Sequence, residues 1–241
     1  MSSTSTRKIL AFSLCVNALV VAGMLRTIQV RGGWGYLQSR FAGARERRGV
    51  DLDAANYAHR ESLFELLPKP RNRIVFAGDS LTQGGEWAEF YPGALNRGIG
   101  GDTSTGMMKR IRTITALNPR AVFLMIGSND LYNLGLSPRQ TIENIRAAVA
   151  EIHRAAPRAP IYLESNLPTW DVRKNIHGRA VNEGLRSLAD GKTVVYVDLY
   201  RAFLEGDILS PKLTSDGGHL NGDGYLLWKR SIDPYMSQIL Q

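Results

Sequence analysis

The chain alternates short continuous apolar runs with longer segments of helical spacing. Residues 73–77, 94–99, 121–126, 160–164 and 193–197 are runs of five or six residues, most of them apolar. Runs of that length are too short for helices and read as buried strands. The segments 103–117, 138–155, 172–189 and 222–240 between and after them read as helices. Pro138 opens one of these, with Ser137 as its cap. Upstream, Tyr57, Leu63, Phe64 and Leu67 are spaced for an amphipathic helix over 53–67, which stops before Pro68 and Pro70. Strands alternating with helices of this length predict a parallel sheet covered on both faces.

The N-terminal pattern is different. Residues 9–25 are 17 uncharged, mostly apolar positions between Lys8 and Arg26. That is the short end for a membrane span and long for a signal-peptide core. No small-x-small cleavage site follows, and Phe-Ser-Leu before Cys15 matches a lipoprotein signal poorly. The expected organisation is a short tail at 1–8, a transmembrane signal anchor at 9–25, a Gly/Arg-rich juxtamembrane linker at 26–52 and the main domain at 53–241. Arg7 and Lys8 precede the span while Arg26, Arg31 and Arg40 follow it, so charge does not fix the orientation. An N-terminal anchor of this build is expected to place the domain on the extracytoplasmic side.

Composition adds exclusions. The 241 residues carry a net charge of +8. Residues 1–66 hold 9 Lys/Arg and 5 Asp/Glu, against 21 and 17 in the rest, so the larger part is only mildly basic. No Lys/Arg run stands out there, and nucleic acid is not an expected partner. One cysteine excludes an intrachain disulfide and a cysteine-rich zinc site. No cofactor or metal is expected.

The candidate chemistry lies where the strands end. Gly78-Asp79-Ser80 follows the first strand, Gly100-Gly101-Asp102 the second and Gly127-Ser128-Asn129-Asp130 the third. Carboxyl-end loops of a parallel sheet fall on one edge, where open α/β folds bind ligands. Ser80 reads either as a nucleophile or as an ordinary helix cap. A nucleophile needs a base, an orienting partner and oxyanion donors. Of the four histidines, His219 stands in Ser215-Asp216-Gly217-Gly218-His219, where one loop can present both Asp216 and the imidazole. The N–H groups of Ser80 and Gly101 and the Asn129 amide are the candidate donors, with Asp79, Asp102 and Asp130 in support. His59, His153 and His177 have no such setting.

These blocks, in this order, resemble the SGNH hydrolase superfamily, also called GDSL-type esterases and lipases. Within it the chain is most similar to bacterial proteins resembling the platelet-activating-factor acetylhydrolase catalytic subunit. The match spans about residues 55–241. The resemblance implies Ser80 as nucleophile, His219 as base, Asp216 as its partner, and Ser80, Gly101 and Asn129 as the oxyanion hole. It fits the α/β class read above, as a three-layer α/β/α flavodoxin-like sandwich with a five-stranded parallel sheet. It does not explain residues 1–52. Thr82, two residues after Ser80, separates the motif from the Gly-x-Ser-x-Gly elbow.

The expected activity is hydrolysis of short, chiefly acetyl, esters through an acyl-enzyme, with an O-acetylated carbohydrate or envelope glycan as substrate. A lysophospholipase or thioesterase activity is the competing enzymatic reading. An acyl-transferring or glycan-binding accessory protein of polysaccharide modification is the competing role. Trp87, Trp170 and Tyr132 read either as walls of a sugar site or as core and rim aromatics.

Overall fold

The computed structural model describes residues 52–240 and, before them, residues 13, 16–18, 20–23 and 26. The anchor expected at 9–25 and the linker at 26–52 therefore lie largely outside the described residues. Among those described, no helix is long and apolar enough to cross a membrane, so the expected transmembrane helix finds no support here.

Residues Asp53–Gln241 form one compact unit. It opens with α1 (Leu52–Leu66), followed by β1 (Ile74–Gly78), α2 (Ser80–Gln83), α3 (Trp87–Phe90) and β2 (Leu95–Gly98). Next come α4 (Ser104–Lys109), α5 (Arg112–Thr115), β3 (Ala121–Met125), α6 (Ser128–Tyr132) and α7 (Pro138–Ala155). The chain closes with β4 (Ile161–Glu164), α8 (Val172–Arg186), β5 (Val194–Val197), α9 (Tyr200–Phe203), a small hairpin of β6 (Leu204–Glu205) and β7 (Ile208–Leu209), and α10 (Gly222–Leu240). All pairings in the main sheet are parallel. Their order is β2-β1-β3-β4-β5, the flavodoxin-like arrangement, whose switch point lies between β1 and β3.

Burial explains the continuous apolar runs. β1, β3 and β4 are buried at every position, because both faces are covered. One face carries Phe76, Phe123 and Tyr162, stacked at 5.0 and 4.7 Å between ring centroids, under Trp228, Ile232 and Met236 of α10. The other carries Val75, Val122 and Leu124 under Met107, Ile145, Ile152, Val181 and Leu185. Helix α7 begins where the sequence predicts. The Ser137 hydroxyl accepts from the Gln140 N–H, and the Gln140 side chain accepts from the Ser137 N–H, a capping box.

One expected helix differs. The segment 103–117 is two short helices, α4 and α5, broken at Arg110, whose backbone leaves the helical region (φ −103°, ψ 15°). Its guanidinium is drawn inward to three buried acceptors: the Asp102 carboxylate and the carbonyls of Arg97 and Gly78. An ion pair with no side-chain exposure on either partner sets the chain there, against helical continuity. The short helices α2, α3, α6 and α9 and the β6–β7 hairpin carry too few residues for a periodic signal.

Candidate active site

Asp79, Ser80, Gly101, Asp102, Asn129 and Asp130 sit just beyond the ends of β1, β2 and β3, and Asp216 and His219 lie in the loop before α10. Asp79 follows β1 and caps α2, its Oδ1 accepting the Leu81 N–H at 3.0 Å. The cap is therefore Asp79 and not Ser80, which leaves the serine hydroxyl free. Ser80 Oγ lies 3.1 Å from His219 Nε2, and His219 Nδ1 lies 2.8 Å from Asp216 Oδ2. An ionised carboxylate only accepts, so it fixes the proton on Nδ1 and turns the Nε2 lone pair toward the serine hydroxyl. Asp216 Oδ1 also accepts the N–H groups of Gly218 (2.9 Å) and His219 (2.7 Å). The His219 backbone N–H, then its side chain and the Gly218 N–H, hold the Asp216 carboxyl well below the usual carboxylate range. This chain of groups lies open to solvent, with Asp216 and His219 side chains 58% and 61% exposed.

The other candidate donors lie on the loops after β2 and β3; Asn129 lines one cavity with Ser80 and His219, and Gly101 is not among the residues lining it. Gly101 has φ +76°, a conformation L side chains adopt only with strain. Among the described residues the N–H groups of Ser80 and Gly101 donate to no protein acceptor. The adjoining Gly100 packs against Ser80, since a Cβ placed on it would lie 3.8 Å from the Ser80 Cβ. Asn129 Nδ2 donates one hydrogen to the Asp102 carbonyl (2.8 Å). Its Oδ1 accepts from Asn133 (2.9 Å), so the amide is held with its second hydrogen unspent.

Beneath this exposed layer the support is buried. Asp79, Asp102 and Asp130 are each 2% exposed or less. Burial pushes the Asp79 carboxyl up to about 7, against the pull of the Leu81 N–H. Burial likewise pushes Asp102 up, opposed by the Arg110 guanidinium on it. Asp130 accepts the Ser104 N–H at 2.9 Å and its hydroxyl at closer range, which fixes the start of α4 and with it the Gly101 loop. Gln83 and Asn96 complete the frame. Gln83 Oε1 accepts the Gly100 N–H (2.6 Å), and Asn96 Nδ2 donates to the carbonyls of Thr82, Gln83 and Gly85.

The residues open onto a cavity of about 440 Å³. Ser80, Asn129, Asp216 and His219 line it together with Tyr132, Asn133, Trp170, Asp171 and Lys174. Leu81, Leu167 and Pro168 supply its aliphatic walls. Two of the three aromatic residues considered for a sugar site belong to it. Trp87 does not: it is fully buried, stacked 4.1 Å from Phe76 in the core. His59, His153 and His177 lie on α1, α7 and α8, away from the cavity lining.

Comparison with known proteins agrees on the family. The model described as GDSL-like Lipase/Acylhydrolase family matches residues 76–227. The platelet-activating factor acetylhydrolase IB subunit alpha2 of Rattus norvegicus is 27% identical over 180 residues, covering 70% of this chain and 77% of that protein. A crystal structure of a GDSL-like lipase from Bacteroides thetaiotaomicron superposes with a TM-score of 0.65 at 27% identity, covering 76% of this chain and 98% of the other. A variant of a Geobacillus acetyl-xylooligosaccharide esterase shares the fold, at a TM-score of 0.56 and 18% identity over 72% of this chain and 96% of that one.

Proposed function

This chain belongs to the GDSL-like lipase/acylhydrolase family, and we propose that it is a serine esterase that removes short acyl groups, chiefly acetyl, from a carbohydrate. The observation that carries the reading is the continuous path from Ser80 Oγ through His219 to Asp216, at 3.1 and 2.8 Å, opening onto the cavity. His219 Nε2 takes the Ser80 proton as Oγ attacks the ester carbonyl. The oxyanion that forms is held by the Ser80 and Gly101 N–H groups and the free Asn129 hydrogen. His219 returns the proton to the departing alkoxide, leaving an acyl-serine and an alcohol. Water, deprotonated by the same imidazole, then attacks the acyl-serine, which releases the carboxylic acid and restores Ser80.

The walls favour a short acyl group. A fatty chain gains about 0.8 kcal/mol per buried methylene, and three aliphatic side chains, Leu81, Leu167 and Pro168, offer only a short stretch of such surface. Trp170, 45% exposed, and Tyr132 offer ring faces of the kind sugars stack on. In this reading residues 9–25 hold the chain to a membrane, with the domain on the extracytoplasmic side. Lysophospholipid is the second substrate reading, favoured by the exposed apolar side chains of Trp170, Val172 and Ile176.

Replacing Ser80 with Ala tests the core of the reading. Hydrolysis of p-nitrophenyl acetate is expected to fall by at least a thousandfold with the thermal unfolding curve unchanged, a size in line with loss of a serine nucleophile. Retained activity in a folded Ser80→Ala protein overturns it.

A further inference from the structure

Five carboxylate, imidazole or ammonium side chains line the cavity beside Ser80: Asp79, Asp171, Lys174, Asp216 and His219. Four are already engaged. Asp79 is buried on the Leu81 N–H, and Asp216 and His219 hold each other. Asp171 caps α8, accepting the Arg173 N–H at 3.0 Å, and also pairs with the Arg173 side chain at 3.4 Å. Lys174 is different. Among the described residues no carboxylate lies within ion-pair distance of its ammonium, which stands 5.0 Å above the Tyr132 ring. The Tyr132 hydroxyl donates to the Lys174 backbone carbonyl (3.2 Å), so the ring and the first turn of α8 are tied together. A cation over a ring is attracted by the ring face yet keeps its N–H donors for another partner.

Trp170 stands beside it. Its indole N–H donates to the Leu209 carbonyl (3.1 Å) and its backbone N–H to the Gly217 carbonyl (2.9 Å). The ring lies flat against Gly217, where a Cβ would come within 2.5 Å of Cδ2, so only glycine admits it next to Asp216. The loop that carries Asp216 and His219 thus also seats this ring in the cavity wall.

We propose that Lys174 is the specificity-determining residue for the alcohol part of the substrate: it binds a carboxylate or phosphate carried by the acylated molecule, while Trp170 supports that molecule's body. This rests on the esterase reading and deepens it, since it assigns the substrate's charge. Neutral acetylated sugars leave the Lys174 donors to water. An anionic one satisfies them at a distance from the scissile bond, so the gain falls on binding more than on turnover.

The test uses two matched pairs of acetate esters on the full chain, with acetate release as the readout. One pair is O-acetylated glucuronate and its neutral glucuronamide. The other is acetylglycerol with and without a phosphate. The quantity read is the anionic-to-neutral ratio of kcat/KM within one protein, so a general loss of activity or fold cancels. The wild-type ratio is expected to be about fivefold at low salt in at least one pair, carried by KM. It should shrink toward one as salt approaches about 0.5 M, fall toward one in Lys174→Met and invert in Lys174→Glu. The pair that shows the preference identifies carboxylate or phosphate as the anion. A wild-type ratio near one in both pairs overturns the proposal, as does an unchanged ratio in Lys174→Met. Failure of the wild type to hydrolyse any ester, p-nitrophenyl acetate included, would instead remove the esterase reading beneath it.

Discussion

Glu164 closes β4 with its carboxyl buried, the residue 1% exposed; among the described residues its hydrogen-bond donor is the Trp228 indole N–H at 2.7 Å. Burial pushes its pKa up to about 8 from 4.5, with the Trp228 hydrogen bond pulling weakly the other way. The folded protein keeps this proton up to pH about 8, whereas the unfolded chain releases it above about 4.5. Between those values the folded state binds more protons, so stability is greatest at low pH and falls as pH rises. At about 1.4 kcal/mol per unit, the whole displacement is worth roughly 5 kcal/mol, an upper bound that local relaxation and water entry reduce to ~2–3. Glu164→Gln keeps the shape and the acceptor oxygen but cannot ionise. Urea unfolding of both proteins at intervals from pH 5 to pH 9 is the assay. Whatever the offset at pH 5, the variant's stability is expected to gain on the wild type by about 2 kcal/mol or more as pH rises. Asp79 titrates with the same sign in both proteins and cancels in the difference. Parallel stability curves, or a gap that closes with rising pH, would refute the reasoning.

Two further substitutions test the frame. Asn129→Ala removes the free amide hydrogen and is expected to lower kcat on p-nitrophenyl acetate about 10²–10³-fold with a smaller change in KM; a drop under about threefold would remove Asn129 from the oxyanion hole. Arg110→Leu strands the Asp102 carboxyl and the Arg97 and Gly78 carbonyls in the interior, so a loss of about 3–5 kcal/mol in urea unfolding is expected, and a loss under about 1 kcal/mol would mean that the pair contributes little.

The strands were legible because covering both faces of the sheet demands unbroken apolar runs, and α7 because its cap and N1 proline are local chemistry. The short helices were not, since four residues hold no period. The same limit hid the break at Arg110. One signal was available: Arg110 falls on the apolar stripe of Met107, Ile111 and Ile114, and an arginine inside such a stripe needs a buried partner. Asn96 within β2 offered another, because an asparagine in a strand spends its side chain on neighbouring backbone. The blocks around Ser80, Gly101, Asn129 and Asp216–His219 were legible as motifs, and taken together they favoured nucleophile over cap at Ser80. The structure adds that the cap of α2 is Asp79, through the Asp79–Leu81 hydrogen bond, a contact between two neighbours that spacing alone leaves open.

The site divides its work between layers. Asp79, Asp102 and Asp130 are buried and each carboxyl accepts a backbone N–H at a helix start, Leu81 in α2 and Thr103 and Ser104 at the beginning of α4 beside the Gly101 loop. Asp216, His219 and the cavity wall stand in solvent instead. Oxyanion stabilisation depends on donors that do not reorganise during reaction, so rigidity belongs under the Gly101 and Asn129 loops. An exposed imidazole sacrifices little by comparison, since Asp216 and two backbone N–H groups already fix the loop it stands on. On the proposed reading, an open upper layer leaves selectivity to the side chains that the alcohol part must pass, and Trp170, Tyr132 and Lys174 line the cavity there.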